Sequence, residues 1–227
     1  MKISTLIVII LTTLISLGSV FGYYIYFIIP KGEISTKVNN PRERERRIVA
    51  FGDSLTIGYN LPIADSYPSQ LQNKIIAEGY NYKVINLGIS GDTTTGGLAR
   101  LQDVLSYSPD IVLLELGAND FLSSQSPETA EKNLDTIIKV FDDKNIKVIL
   151  LNASLSTLLP LPNGERFLQI MPNLSKKYGL SIVPSFLEGV LLDPKYTLED
   201  KLHPNKAGYT KALDQNLWPV LEKELLR

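Results

Sequence analysis

Five short runs of apolar and β-branched residues recur along the chain and are separated by longer stretches with helical periodicity. The apolar runs predict β-strands at residues 48–51, 83–87, 111–116, 147–151 and 181–183. The stretches after them predict α-helices at residues 66–78, 94–106, 127–144, 164–178 and 205–226. Alternating strands and helices form a parallel sheet covered on both faces, which binds ligands beyond the carboxyl ends of its strands. The pattern therefore predicts an α/β domain whose chemistry lies in the strand-to-helix loops.

The first thirty residues differ from the rest because residues 3–29 contain no charged side chain. A helix of this length measures about 40 Å, which exceeds the roughly 30 Å of a bilayer's hydrocarbon core. The apolar region of a secretory signal peptide is shorter, roughly 7–15 residues, and Val20-Phe21-Gly22 is a mediocre cleavage site. We therefore predict a transmembrane anchor at residues 1–30, with a cleaved signal segment as the alternative.

The next segment, residues 31–47, is polar and contains an alternating run of arginine and glutamate. Such a composition is typical of a solvated linker. The remaining residues, 48–227, are enough for one compact domain with a sizeable core.

Composition excludes several kinds of function. The formal charge of -1 gives no basic surface for nucleic acid. The chain has no cysteine, which excludes disulfides, thiolate metal sites, a thiol nucleophile and the lipid-carrying cysteine of a lipoprotein. It has a single histidine, and no acidic run shows the spacing of a calcium loop. We therefore predict no metal site and no nucleic-acid partner.

A serine follows the first predicted strand, in the segment Phe51-Gly52-Asp53-Ser54-Leu55-Thr56. Glycine lets the chain turn sharply out of the strand, and a serine that opens the next helix presents its hydroxyl above the edge of the sheet. The alternative is an ordinary turn with Asp53 or Ser54 as a helix N-cap. As a nucleophile, Ser54 needs a base to remove its proton.

The only histidine is His203, in the segment Asp200-Lys201-Leu202-His203-Pro204. Pro204 disfavours helical geometry at His203 and can itself open the last helix, so the imidazole is expected in a loop. Asp200 lies where its carboxylate can fix the imidazole tautomer and stabilise the imidazolium. We therefore predict that His203 is the general base and Asp200 its partner. A surface histidine with a chance acidic neighbour is the alternative.

Two further loops offer hydrogen-bond donors for an oxyanion. The segment Ile89-Ser90-Gly91-Asp92-Thr93 follows the second predicted strand, and no side chain shields the Gly91 amide. The segment Gly117-Ala118-Asn119-Asp120 follows the third, and the Asn119 side-chain amide is another donor. Together with the Ser54 backbone amide, these groups are candidates for an oxyanion hole. Each loop is also explained as a turn, because glycine, asparagine and aspartate favour turns.

In identity and order, these four segments resemble the four blocks of the SGNH (GDSL) hydrolase family, over most of the chain from residue 48 onward. The resemblance is closest to the bacterial thioesterase, lysophospholipase and arylesterase branch. It implies a flavodoxin-like three-layer α/β/α sandwich with a five-stranded parallel sheet. It also implies that Ser54, Asp200 and His203 are catalytic, that Ser54, Gly91 and Asn119 form the oxyanion hole, and that no cofactor is needed.

The function implied by this resemblance is hydrolysis of acyl esters, lysophospholipids or acyl thioesters through an acyl-enzyme on Ser54. A carbohydrate O-acetylesterase of cell-wall or extracellular glycans would use the same residues. An acyltransferase would pass the acyl group to an acceptor other than water. A non-catalytic surface-binding module would keep only the fold, and the complete set of predicted catalytic residues disfavours it.

Apolar residues in the predicted strand-to-helix loops indicate the kind of substrate. Residues 155–161 are rich in leucine and follow the fourth predicted strand. The only tryptophan, Trp218, lies within the last predicted helix, whereas sugar-binding sites usually present exposed aromatic faces. We predict a preference for medium or long acyl chains over acetyl, with packing of the leucines on the next helix as the alternative. The predicted substrate-binding residues are Phe121, Leu155, Leu158 and Leu159.

The predicted partners are a small-molecule or lipid acyl substrate and, through residues 1–30, a membrane, and we expect a monomer. One lysine precedes the apolar run and six basic residues follow it closely, so the positive-inside rule alone would place the domain in the cytoplasm. Exported members of the SGNH family favour the extracytoplasmic face, which we predict here. Secretion after signal cleavage is the alternative.

Overall fold

The computed structural model describes residues 44–153 and 162–226. Its central sheet consists of five parallel strands: β1 (Arg46–Gly52), β2 (Tyr82–Gly88), β3 (Ile111–Glu115), β4 (Lys147–Leu151) and β5 (Ser181–Val183). The strands pair in the order β2-β1-β3-β4-β5. This is the flavodoxin-like order, in which the ligand crevice opens beside β1, where the strand order reverses. The predicted five-stranded parallel sheet is confirmed.

Helices connect the strands and cover both faces of the sheet. The first six are α1 (Ser54–Ile57), α2 (Tyr67–Ala77), α3 (Thr94–Ala99), α4 (Leu101–Ser106), α5 (Ala118–Leu122) and α6 (Pro127–Asp143). The last three are α7 (Gly164–Tyr178), α8 (Lys206–Ala212) and α9 (Trp218–Leu221). Their positions follow the predicted alternation of strands and helices.

Some elements differ from the sequence pattern. The strand β1 begins at Arg46, within the predicted linker, because this residue and the next pair with β2. The helix predicted at residues 94–106 is divided at Arg100, whose φ of -104° and ψ of 18° are not helical. The last predicted helix contains a π-helical turn, Leu213–Leu217, just before Pro219. Proline has no N–H and crowds the carbonyl of the preceding turn, and a π-turn accommodates both effects.

The side chains of the strands alternate between two apolar layers. In β1, Ile48 and Ala50 belong to a core formed with α2, α8 and α9. Val49 and Phe51 belong to the core on the opposite face, formed with α4, α6 and α7. Trp218 is buried in the first of these cores, as its position in the predicted helix indicated. The predicted three-layer α/β/α sandwich is therefore confirmed.

Several predicted features lie outside the described residues. They are the anchor at residues 1–30, most of the linker at residues 31–47, and the leucines Leu155, Leu158 and Leu159. Within the ranges 44–153 and 162–226, no helix combines the length and apolar character that a bilayer crossing requires. Every element named here belongs to the compact unit Glu45–Arg227.

Candidate active site

Ser54 lies in a tight turn between β1 and α1. Asp53 is the N-cap of α1, and its Oδ1 atom accepts the Leu55 N–H at 3.0 Å. Gly52 closes the strand at a point where a Cβ atom would lie 2.5 Å from the Glu115 carbonyl oxygen. A larger residue would therefore force the turn away from β3. Ser54 follows as the first residue of α1 and lines the crevice beyond the sheet.

The side chains of Ser54, His203 and Asp200 form a continuous hydrogen-bonded row. Ser54 Oγ is 2.9 Å from His203 Nε2, and His203 Nδ1 is 2.7 Å from Asp200 Oδ2. Asp200 Oδ1 accepts the backbone N–H groups of Leu202 and His203, both at 2.9 Å. Burial acts to raise the pKa of Asp200, but these hydrogen bonds outweigh it and hold the pKa below the ordinary aspartate value. Asp200 is therefore an ionised partner for the imidazole at neutral pH.

Asn205 organises the loop that carries His203. Its Nδ2 atom donates to the carbonyls of Lys195 at 3.0 Å and Thr197 at 3.2 Å. Its Oδ1 atom accepts a backbone N–H in the first turn of α8 at 3.0 Å, which makes Asn205 the N-cap of that helix. One side chain thus joins the loop to α8 and fixes the approach of His203 to Ser54.

The three predicted oxyanion donors line the same cleft as the Ser54 hydroxyl. Gly91 has a φ of +79°, a left-handed conformation that favours glycine, and a Cβ atom there would meet no other atom within 4 Å. In the described part of the chain, the N–H groups of Gly91 and Ser54 donate to no protein acceptor. These two backbone groups are therefore available to a ligand.

The Asn119 amide, by contrast, already has two partners. Its Nδ2 atom lies 2.9 Å from Asp53 Oδ2 and 2.9 Å from the Asp92 carbonyl oxygen. Since an amide nitrogen carries two protons, a hydrogen bond from Asn119 to an oxyanion requires that one of these contacts be shared or exchanged. The contact with the charged carboxylate is the stronger one. The bond to Asp92 is therefore the one that an oxyanion would replace.

A second carboxyl group lies behind Asp53. Glu115 at the end of β3 and Asp53 are each 1% exposed, and Glu115 Oε2 accepts the Thr56 hydroxyl at 3.0 Å and the Asp53 N–H at 3.3 Å. Burial raises the pKa of Asp53 to about 6. Burial, and then the charge of Asp53, raise the pKa of Glu115 well above its ordinary value. Glu115 was missed when site residues were predicted from the sequence. The signal that could have found it is that Glu115 is the one acidic residue in a predicted strand that is otherwise apolar.

Arg100, which was also missed, ties the loop after β2 to the sheet. Its Nε atom is 2.7 Å from Asp92 Oδ2, Nη1 donates to the Leu87 carbonyl at 2.7 Å, and Nη2 donates to the Gly52 carbonyl at 2.9 Å. Its guanidinium carbon lies 4.5 Å from the centre of the Phe51 ring. The guanidinium thus fixes the ends of β1 and β2 relative to the loop after β2 that contains Gly91 and Asp92.

The cleft around Ser54 has a volume of about 270 Å³ and an apolar rim. The Tyr59 ring lies against the His203 imidazole, with the ring centroids 4.5 Å apart. Leu122, which is 41% exposed, and Leu202 extend this rim. In the described ranges, no group of three or more histidine or carboxylate side chains is arranged to hold a metal ion.

Phe121, a predicted substrate-binding residue, lies outside this cleft. It is 3% exposed, and its ring centroid is 5.5 Å from that of Phe167. It lines a separate cavity of about 40 Å³ between α5, α6 and α7. Ala118 lines both cavities, so the two adjoin there. The structure therefore brings Ser54, Gly91, Asn119, Asp200 and His203 together and leaves Phe121 behind the cleft wall.

Known proteins share this arrangement of sequence and fold. Residues 50–211 match the GDSL-like lipase/acylhydrolase family. The chain is 36% identical over 163 residues to an arylesterase of Vibrio mimicus, a match that covers 71% of this chain and 82% of the relative. It is 34% identical over 160 residues to thioesterase 1/protease 1/lysophospholipase L1 of Escherichia coli (strain K12), covering 70% and 76%. The crystal structure of TesA has a TM-score of 0.74 at 33% identity and covers 79% of this chain and 100% of its own. The chain therefore belongs to the GDSL-like lipase/acylhydrolase family and is an SGNH-type esterase, as its motifs predicted.

Proposed function

We propose that this chain hydrolyses carboxylic esters or thioesters through an acyl-enzyme on Ser54. The observation that carries the proposal is the hydrogen-bonded row from Ser54 Oγ through the His203 imidazole to the Asp200 carboxylate, with contacts of 2.9 and 2.7 Å. A hydroxyl, a base in contact with it and an acid that orients the base are the groups that nucleophilic acyl transfer needs. The names of the relatives, arylesterase and thioesterase/lysophospholipase, support the same substrate class.

In the first half of the reaction, Ser54 Oγ attacks the acyl carbon while His203 Nε2 takes the hydroxyl proton. The tetrahedral intermediate then expels the alcohol or thiol, which receives that proton from His203. In the second half, His203 deprotonates a water molecule that attacks the acyl-enzyme. This step releases the carboxylic acid and restores the Ser54 hydroxyl. Asp200 stays ionised throughout and stabilises the imidazolium.

The developing oxyanion is stabilised by the backbone amides of Ser54 and Gly91 and by the Asn119 side chain. The two backbone groups line the cleft, and neither donates to a protein acceptor in the described ranges. Asn119 keeps its bond to Asp53 and gives up its bond to the Asp92 carbonyl as charge accumulates on the acyl oxygen. The hydrogen bond from Asn119 to substrate thus strengthens in the transition state.

The preferred substrates carry medium or long acyl chains. This proposal is supported by the apolar rim of the cleft, formed by Tyr59, Leu122 and Leu202, and by the adjoining cavity that Phe121 lines. For Leu155, Leu158 and Leu159 the support comes from sequence alone. Burying a methylene contributes about 0.8 kcal/mol, so each two-carbon extension that fits should raise kcat/KM by roughly tenfold at most.

A panel of p-nitrophenyl esters tests this substrate class. With the full chain in detergent, kcat/KM should rise from acetate through butyrate to octanoate, and a matched acyl thioester should also be cleaved. A maximum at acetate, together with release of acetate from acetylated glycans, would instead indicate a carbohydrate O-acetylesterase. Absence of hydrolysis for every ester and thioester would contradict the proposed function.

The location of the enzyme is a separate proposal. Residues 1–30 form an uncleaved anchor, a linker follows from residue 31, and the domain that begins with β1 at Arg46 is a monomer on the extracytoplasmic face. The support for the anchor is the uncharged run of residues 3–29. We expect the mature protein to keep its own N-terminus and to require detergent for extraction. A mature N-terminus near Tyr23, found by mass spectrometry, would establish signal cleavage instead.

A further inference from the structure

A row of buried polar groups beneath the nucleophile turn has no part in the proposed mechanism. Glu115 is 1% exposed, and its Oε2 atom accepts the Thr56 hydroxyl at 3.0 Å and the Asp53 N–H at 3.3 Å. Asp53, which is equally buried, accepts the Asn119 amide at 2.9 Å through Oδ2. The row therefore leads from the interior of the sheet to one of the three oxyanion donors.

The row places two buried carboxyl groups on residues in direct contact. The Asp53 N–H donates to Glu115 Oε2 at 3.3 Å, and both residues are only 1% exposed. A hydrogen bond between two carboxyl groups requires a proton on one of them, because an ionised carboxylate only accepts. Two buried carboxylates in contact would also repel each other. Repulsion within the buried pair therefore favours protonation of one member.

The surroundings of the two groups identify Glu115 as the neutral member. Asp53 accepts the Leu55 N–H at 3.0 Å and the Asn119 amide at 2.9 Å, and both hydrogen bonds favour its charged form. Burial raises the pKa of Asp53 to about 6, which leaves it ionised at neutral pH. Burial and the charge of Asp53 raise the pKa of Glu115 well above its ordinary value.

We propose that Glu115 is a positioning residue that stays protonated and donates a hydrogen bond to Asp53, and thereby fixes the Asp53 carboxylate as the acceptor for the Asn119 amide. The inference rests on the proposed role of Asn119 as an oxyanion donor. Glu115 does not line the cleft around Ser54, and it acts on the reacting carbonyl only through Asp53 and Asn119. Loss of its proton or its side chain should therefore weaken transition-state stabilisation and leave substrate binding unchanged.

Two substitutions separate this role from simple packing. In Glu115→Gln, the amide can donate to Asp53 while the carbonyl accepts from Thr56 and the Asp53 N–H, so we expect kcat within about threefold of wild type. In Glu115→Met, the volume is kept but the donor is lost, so kcat should fall by about ten- to a hundredfold with KM unchanged. Glu224→Gln is the control, because Glu224 binds Lys147 and Ser181 outside the cleft.

Infrared difference spectroscopy gives a second measurement that does not depend on turnover. The carbonyl stretch of a protonated carboxyl group should be present in the wild type at neutral pH, absent in Glu115→Gln and retained in Glu224→Gln. Absence of the band in the wild type, or its survival in Glu115→Gln, would overturn the proposal. A Glu115→Gln variant as impaired as Glu115→Met, or a Glu115→Met variant with wild-type kcat, would overturn it as well.

Failure of the proposed function would look different. The wild type would then not react with a fluorophosphonate at Ser54, whatever the infrared band shows. If Ser54 reacts but the band is missing, only the role of Glu115 is wrong. If Glu115→Met does not fold, the infrared comparison of the wild type with Glu115→Gln still decides.

Discussion

Among single residues, Asn119 is unusual because its amide is a proposed oxyanion donor and already makes two hydrogen bonds within the protein. Both of its amide contacts, to Asp53 and to the Asp92 carbonyl, are made at 2.9 Å before any substrate is bound. These contacts hold the side chain in place, so the amide has only to exchange its bond to the Asp92 carbonyl for one to the acyl oxygen as charge develops there. A donor of this kind should act on kcat, because its bond to the substrate becomes strong only in the transition state.

We expect Asn119→Ala to reduce kcat by a factor on the order of 100 to 1,000 with little change in KM, as for other single oxyanion donors. Asn216→Ala is the matched control, because its amide likewise donates to two acceptors, the carbonyls of Phe186 at 2.9 Å and Glu188 at 3.2 Å, and it lies outside the cleft. Steady-state kinetics on one ester check both variants. A rise in KM alone would mean that Asn119 binds substrate without stabilising the transition state.

At the scale of elements, the site combines loops that follow different strands of one sheet. The proposed nucleophile Ser54 follows β1, the Gly91 amide follows β2, the Asn119 amide follows β3, and the proposed base His203 lies in the long loop between β5 and α8. Parallel strands end at a common edge, which brings these distant segments together. Helix α8, which follows the His203 loop, also contacts the turn that contains Ser54. Its Tyr209 hydroxyl donates to the Leu55 carbonyl at 2.8 Å.

The packing of α8 against the loop that carries His203 can be tested at Gly208. A Cβ atom at Gly208 would lie 2.0 Å from the Tyr196 carbonyl oxygen and 3.0 Å from Pro204 Cβ. We expect Gly208→Ala to destabilise the fold by about 1–3 kcal/mol and to lower kcat, because the helix and the loop must separate. Thermal unfolding and ester kinetics measure both effects.

Gly79→Ala serves as the control, since a Cβ atom there meets nothing within 4 Å. Its φ of +79° makes alanine unfavourable by about 1–2 kcal/mol, but activity at moderate temperature should persist. Equal loss of activity in the two variants would contradict the idea that α8 positions the loop.

The sequence predicts the five strands because each contains a short run of apolar and β-branched residues, and it predicts the α/β sandwich because these runs alternate with helical periodicity. The segments that contain Ser54 and His203 are predictable from local residue identities, and their side chains meet at 2.9 Å. Two other features, the pairing of Asp53 with Glu115 and the helix break at Arg100, cannot be predicted from local residue identities. Each depends on contacts between residues far apart in the chain, 62 positions for the first and up to 48 for the second. Local pattern carries no information on such contacts.

For the molecule as a whole, the buried proton on Glu115 predicts a pH-dependent stability. Because its pKa is raised on folding, the folded chain binds more protons than the unfolded chain above about pH 4.5, the ordinary value. This stabilisation is fully present below that pH and is lost as the pH rises through the folded pKa. Asp53, with a pKa raised to about 6, contributes in the same direction at lower pH.

Urea unfolding of the wild type and of Glu115→Gln at about pH 5 and about pH 8 measures this effect. The free energy of unfolding of the wild type, relative to that of Glu115→Gln, should decrease as the pH rises. Titration of the remaining carboxylates is common to both proteins and largely cancels in this difference. A difference that is constant with pH would mean that Glu115 does not titrate abnormally.

The central claim is that Ser54 is the nucleophile, and mass spectrometry after treatment with a fluorophosphonate tests it most directly. We expect one adduct on the peptide that contains Ser54, and neither adduct nor esterase activity in a folded Ser54→Ala variant. Ser90→Ala is the matched control, because Ser90 lines the same cleft but the His203 ring bonds to Ser54 and Asp200, and this variant should still be labelled at Ser54. Labelling of another serine with Ser54 unmodified, or esterase activity that survives in Ser54→Ala, would contradict the claim.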